Sequence, residues 1–580
     1  MAGAFLYLFL CSARNRVRVR LRRLQQPRYL IGSAAGVLYL YTFVFRHALN
    51  RGPRVGLTPM ALLERASGAI EIAGAIALFV IAAAAWVLPG VGQPIEFSRS
   101  EVQFLFQAPL TRRQLLHYKL LRGQIGALFG TMVATVFLRP GSFAAGWTFL
   151  VGMWLLLATL RLHLIGVVLR RQSLTQHAGQ AVRRQRLPLL VIGAAIVTLA
   201  SVVIADWPIL SGLERSTDVA REIGRLAESA PAVWILWPFR MLVRLPLSVT
   251  TEAFSRALLP VLVMIALNYF WALRGDVAFE EASAAYAERR ANERSAPETG
   301  RRNTKVVPFQ LALTGRPETA ILWKNLIVLG RYASLRALRR FVPLLVIIAV
   351  FASRNASAGI ASSVGIICLF GAAMVTVIGP QTVRNDLRQD LANMATLKTW
   401  PIRGATLVRG ELLAPAIVLT CLTWMLIVIC AVFGQTHGYD RFSPPSIIVE
   451  RAMTLAIAAA LLAPALIVAQ LVIQNGLAIL FPAWVTIGSA RARGIDAMGQ
   501  RLLMMAGVVV AVVAALVPAA VVGAAAAFLL HRLDPQARSG LILLPTLIVS
   551  GGVIGECWLA VEWLGRVFER TDVGALDGAE

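Results

Sequence analysis

Lysine is almost absent from this chain: 580 residues hold four, Lys119, Lys305, Lys324 and Lys398. They follow Tyr, Thr, Trp and Leu. A P-loop needs Gly-Lys before Ser or Thr to cradle phosphates, so that motif is excluded. The five cysteines, Cys11, Cys368, Cys421, Cys430 and Cys557, show no CxxC spacing, which argues against a disulfide framework and a zinc site. The six histidines are scattered, with no pair at i and i+4 for a metal. Neither a Gly-x-Ser-x-Gly elbow nor an Asp-x-Asp occurs, and nothing points to an enzyme. Charge is also scarce: 15% of residues are charged, too few to solvate a soluble protein of this length.

What is present is apolar. Hydrophobic residues make up 57% of the chain and the mean hydropathy is +0.68, which places it in a bilayer with lipid as its surroundings. The formal charge of +27 raises nucleic acid as a partner. The arginines, however, sit in short runs beside apolar stretches, as the positive-inside rule requires, so no nucleic acid is expected. At the N-terminus the apolar stretch precedes Arg14, Arg16, Arg18, Arg20, Arg22 and Arg23. A signal peptide has the reverse order, so this piece reads as an interfacial helix with its arginines at the headgroups.

A span needs roughly 17–25 mainly apolar residues. Such runs lie near 29–45, 68–90, 123–138, 143–169, 188–206 and 252–273, then 341–355, 358–380, 411–433, 449–472, 503–530 and 541–565. The expectation is an all-α polytopic membrane protein with about twelve spans, six in each half. Basic residues in 161–187, 331–340 and 491–501 assign those segments to the cytoplasm, together with both termini. The nearly balanced 207–250 reads as an outside loop. The stretch 46–67, with Arg46, Arg51, Arg54 and Arg65, runs against this orientation. The expected organisation is a first half 1–274, a cytoplasmic linker 275–319 and a second half 320–580. Each half begins with an entry helix, 1–28 or 320–340, that leads through an arginine run into its first span.

One motif occurs twice, between the second and third spans of each half. Residues 101–122 read EVQFLFQAPLTRRQLLHYKLLR and residues 393–414 read NMATLKTWPIRGATLVRGELLA, with Pro109 and Pro401 separated by 292 positions. In the first copy Thr111 and Gln114 form a T-x-x-Q capping box, and Leu110 and Leu115 the accompanying hydrophobic staple. In the second, Ile402 and Leu407 hold the staple positions, but Arg403 is a poor cap and Gly404 weakens the start. Arg112 and Arg113 stand in a first turn, where the helix dipole disfavours cations, so an acidic partner or lipid headgroups would explain them. A single copy would read as an amphipathic helix resting on the membrane. Recurrence in both halves sets beside that reading, on equal terms, paired docking points in a two-bundle transporter.

The first copy resembles the cytoplasmic coupling region of ABC-type exporter permeases with six spans per half, and LTGRPETAILWKNLIVLGR resembles their entry helix. The resemblance is closest to members that carry both halves in one polypeptide. It implies a permease in a bacterial plasma (inner) membrane that is not itself an enzyme and holds no cofactor. ATP and magnesium would be bound by a separate ABC ATP-binding subunit, two copies per chain. The coupling regions would be 92–122 and 381–410, with Pro109, Thr111, Arg112, Arg113, Gln114, Pro401 and Arg403 bearing on the ATPase. Short outer helices are implied at 232–246. The second half departs from the pattern, since only 531–540 separate its last two spans.

Glu71, Arg161, His163 and Glu556 fall within or at the ends of spans, where a charge costs roughly 2.5–3.5 kcal/mol. They fit either a packing bond or a substrate contact. Two other functions remain. A secondary carrier driven by protons or sodium also has twelve spans and a long central loop, though its loop between spans two and three is short and glycine-containing. A membrane enzyme would have to assemble its site from distant helices.

Overall fold

The computed structural model describes residues 67–87, 112–138, 143–176, 181–248, 250–273, 314–332, 357–435, 445–481, 498–533 and 540–571, with a few isolated positions besides. The described residues contain helices and no strand. Nine of the helices are long and apolar enough to cross a membrane, and they coincide with nine of the twelve expected runs. Of the other three, 29–45 (apart from Leu30) and 341–355 lie outside the described residues, and 123–138 continues a helix that begins at Arg112.

The first helices are α1 (Ser67–Val87), α2 (Arg112–Leu138), α3 (Phe143–Gln176) and α4 (Ala181–Ala205). Next come the shorter α5 (Trp207–Ser211), α6 (Ser216–Glu228) and α7 (Ala232–Leu247), then α8 (Thr251–Leu273). The 21 residues of α1 reach about 30 Å at 1.5 Å per residue, the thickness of a hydrocarbon core. On α4 the side chains of Leu190, Val191, Val197 and Ile204 are exposed, a surface that water would penalise and lipid does not. Pro188, Pro260, Pro415, Pro464, Pro518 and Pro545 all lie inside helices. Helices in a bilayer tolerate proline where neighbouring groups satisfy the freed carbonyls. These elements make the chain an all-helical, membrane-embedded protein.

The chain divides into two compact units. In the first, α3 packs against α2, α7 and α8, and α7 also covers α1. Leu78, Leu242, Val243, Leu245, Phe254 and Val261 form one of its cores, and Leu115, Tyr118, Leu120, Leu162, Ile165 and Leu169 another. Close approach depends on small residues: a Cβ on Gly152 would lie 2.6 Å from the Pro246 backbone nitrogen.

The second unit contains α9 (Pro317–Tyr332), α10 (Ala358–Thr382), α11 (Leu387–Asp390), a 3-10 turn (Leu391–Asn393), α12 (Met394–Lys398) and α13 (Gly404–Gln435). It continues with α14 (Pro445–Leu480), most of α15 (Met498–Leu533) and α16 (Gly540–Arg570). α13 is its centre, packed by α9, α10, α14 and α16. Residues 208–219 also belong to this unit, where the Gly359 N–H donates to the Leu213 carbonyl at 2.9 Å. The boundary of the units is therefore not a single cut at the linker.

Candidate functional site

The segment between α10 and α13 is where the second motif copy lies, and it is held on three sides. α10 ends at Thr382, and Asp386 then starts α11: its Oδ1 accepts the Arg388 backbone N–H at 3.1 Å. Both Asp386 oxygens also accept the Arg388 Nε–H at 2.9 Å. The remaining guanidinium donors go to the Pro380 carbonyl at 2.8 Å, the Val383 carbonyl at 3.1 Å and Gln474 Oε1. Asn475 Nδ2 donates to Asp386 Oδ2 at 3.0 Å and to the Leu471 carbonyl at 2.8 Å. A buried ion pair is tolerable when its spare donors and lone pairs are filled, and Arg388 meets that requirement. In filling them it ties the end of α10 to α14.

Beyond this pair the chain turns its apolar stripe inward. Leu387, Leu391, Met394 and Leu397, at helical spacings of four and three, enter the main core. Ala392, Asn393, Ala395, Thr396 and Thr399 face outward.

The entry helix α9 joins from a second side. Lys324 Nζ donates to Glu411 Oε1 of α13 at 2.8 Å and also to Asp390 Oδ2 at the end of α11. Asn325 Nδ2 donates to Glu411 Oε2 at 2.8 Å, and Asn385 Nδ2 to the Asn325 carbonyl at 2.6 Å. The Glu411 side chain is 0% exposed. Burial pulls the Lys324 ammonium downward, but Glu411 and Asp390 outweigh it and hold the group above the ordinary lysine value. The helices can come this close because Gly410 has no side chain; a Cβ there would lie 2.8 Å from Ile321 Cδ1.

The third side is the end of α16. Glu569 Oε1 accepts the Gly404 N–H at 2.7 Å, supplying from a distant helix the cap that Arg403 does not provide. Lys398 Nζ donates to the Glu569 carbonyl at 3.3 Å and to the Thr571 carbonyl, a cation at the negative end of α16. Arg409 Nη2 lies 3.4 Å from Glu562 Oε1. A Cβ on Gly404 would stand 2.4 Å from the Gly565 carbonyl oxygen, and one on Gly565 would stand 2.2 Å from the Ala405 nitrogen. Gly404 is thus the contact point of two helices.

Within this clamp, Trp400, Pro401 and Arg403 are exposed, Trp400 to 37%. Their turn is bonded to itself, with Ile402 N–H donating to the Trp400 carbonyl at 2.8 Å. Ile402 packs on the core that contains Leu407. In the first copy, Pro109 and Thr111 lie outside the described residues. α2 begins at Arg112 and Arg113, and Gln114 is half-buried.

The four isolated polar residues have different surroundings. Glu71 Oε1 accepts from Arg240 Nε at 2.7 Å and lies 2.8 Å from Arg244 Nε; both arginines come from α7. Arg240 also donates to Glu228 at 3.0 Å. Burial lowers the Arg240 guanidinium, but its two carboxylates more than compensate and raise it on balance. His163 Nδ1 is 3.2 Å from Asn268 Oδ1, its ring lies 5.6 Å from that of Trp271, and its Nε2 is buried with no hydrogen-bond partner. The Arg161 guanidinium lies over Gly123, in the space a Cβ would fill. Glu556 is half-buried on α16. Among the described residues no His, Cys, Asp or Glu group is arranged for a metal.

Sequence reasoning missed the joint. The charged run RNDLRQD after an apolar stretch and Glu411 as the first residue of an expected span were its visible signals. Nothing in the sequence pairs them with Lys324 or Glu569. No family model, curated protein or solved structure matches this chain.

Proposed function

We propose that this chain is the transmembrane permease of an ATP-driven exporter in a bacterial inner membrane, with both termini cytoplasmic. A separate P-loop ATPase binds ATP and magnesium and bears on the segment between α10 and α13. A second copy of it bears on the corresponding segment that leads into α2. The observation that carries this reading is the exposed Trp400–Pro401–Arg403 turn on a segment clamped to α9, α13, α14 and α16. An amphipathic helix that only rests on lipid needs no such ties. A segment that receives force does, because displacement at Trp400 then reaches four helices at once.

Arg403, left without a capping role, is available to a carboxylate on the partner. The aromatic Trp400 is the kind of side chain that dominates protein interfaces. The test is affinity capture of the full chain in detergent with the P-loop ATPase encoded beside it. The ATPase is expected to copurify, and Trp400→Ala to weaken its binding roughly tenfold or more. Failure of any such ATPase to bind the folded chain would overturn the proposal.

A further inference from the structure

A proline inside a helix lacks the N–H that would bond the carbonyl four residues before it, so in a bilayer that carbonyl needs another donor. Two such carbonyls in the second unit receive one from a neighbouring helix. Pro380 frees the Thr376 carbonyl of α10, and Gln470 Nε2 of α14 donates to it at 2.8 Å. Pro464 frees the Ala460 carbonyl of α14, and Trp424 Nε1 of α13 donates to it at 2.8 Å. The two donors differ in setting: Gln470 is buried, whereas Trp424 is 45% exposed.

Packing along α14 changes at the same proline. Among residues 452–463 only Thr454 and Ala463 are buried, and Met453, Leu455 and Ile457 are exposed. Beyond Pro464 the helix enters the main core through Ala465, Ile467, Ala469, Leu471, Val472 and Ile479. That part also carries the ties of Gln474 to Arg388 and of Asn475 to Asp386. α14 is therefore one helix in two environments, lightly packed before Pro464 and set in the core after it. Proline is also where helices bend, because the hydrogen-bond ladder is already open there.

We propose that the part of α14 before Pro464 is a lever hinged at that residue, and that the bond from Trp424 to Ala460 is its catch. With the bond made, the lever is held against α13. With the bond broken, the lever is released to swing, while the part after Pro464 stays with the end of α10 and the Arg388–Asp386 pair. Losing the donor to a carbonyl in the bilayer is costly, so the caught position is the main state and the swung position a minor one. Ala458, Ala459, Ala460, Ala463 and Ala465 flank the hinge, so little side-chain volume has to be displaced as it bends. Trp424 is thus a positioning residue that acts through α14. The hinge stands whether or not an ATPase drives the chain.

The experiment measures spin-label distances in the full chain in nanodiscs, with the native cysteines replaced and labels at Ile457 on the lever and Leu559 on α16, both exposed. The parent chain should give one dominant distance. Trp424→Phe keeps a ring and loses the donor, and it should enlarge a second, swung population roughly fivefold, the weight of one hydrogen bond. Pro464→Ala restores an N–H for the Ala460 carbonyl and, added to Trp424→Phe, should remove that population. An unchanged distribution in Trp424→Phe would overturn the proposal, as would a second population that persists in the double variant. Pro464→Ala alone keeps the test decisive if Trp424→Phe does not fold: it should narrow the parent distribution, and an equal width would overturn the hinge.

Discussion

Glu569, at the end of the last helix, caps Gly404, at the start of the helix that follows the second motif, across 165 residues of sequence. The bond makes the last span part of the same mechanical element as the segment before α13. Removing an N-cap acceptor costs about 1 kcal/mol. Glu569→Ala should lower the melting temperature accordingly, and Arg403→Ser in the same chain should recover part of the loss by supplying a local cap. Differential scanning measurements on the single and double variants check this; additive losses would show that Glu569 does not act as a cap.

The Gly404–Gly565 crossing gives a steric prediction. Gly565→Val puts atoms where the Ala405 backbone already lies, and overpacking of this kind costs roughly 1–3 kcal/mol or more. Gly551, on the same helix with nothing within 4 Å of its would-be Cβ, should accept alanine with little effect on stability. A comparable loss at both positions would argue against a close crossing.

Glu71 and Arg240 are expected to behave as a structural pair. Breaking a buried pair costs roughly 3–5 kcal/mol, because the surviving charge is stranded. Glu71→Gln and Arg240→Gln should each destabilise the first unit, and the double variant should lose less than the sum of the two. Thermal unfolding of all three variants measures the coupling energy; a coupling of zero would return Glu71 to the list of transport residues.

His163 has one ring nitrogen bonded and one buried without a partner, which makes it the isolated polar residue best placed to meet a substrate polar group. His163→Gln should leave the melting temperature nearly unchanged and alter the substrate range in a transport assay. A large drop in stability with transport retained would identify His163 as a packing residue.

Much of the fold was legible because apolar run length is a one-dimensional property. Nine of the expected spans, from Ile70–Val87 to Leu541–Arg570, follow from it directly. The site was legible only where its signals are local. The Ile402 and Leu407 pair was visible as spacing, and the weakness of Arg403 as a cap was visible as chemistry. The replacement cap comes from Glu569, and the partner of Lys324 from Glu411, 87 residues on. Such pairings depend on how helices pack and leave no mark on local periodicity. The transfer of residues 208–219 to the second unit was hidden for the same reason.

The measurement that bears most directly on the proposed function is ATP turnover by the partner ATPase co-reconstituted with this chain in proteoliposomes. Wild-type chain should stimulate turnover, and Trp400→Ala, with its melting temperature preserved, should reduce that stimulation roughly tenfold. Turnover indifferent to Trp400, or transport that continues without ATP and stops when an ion gradient is collapsed, would contradict the account.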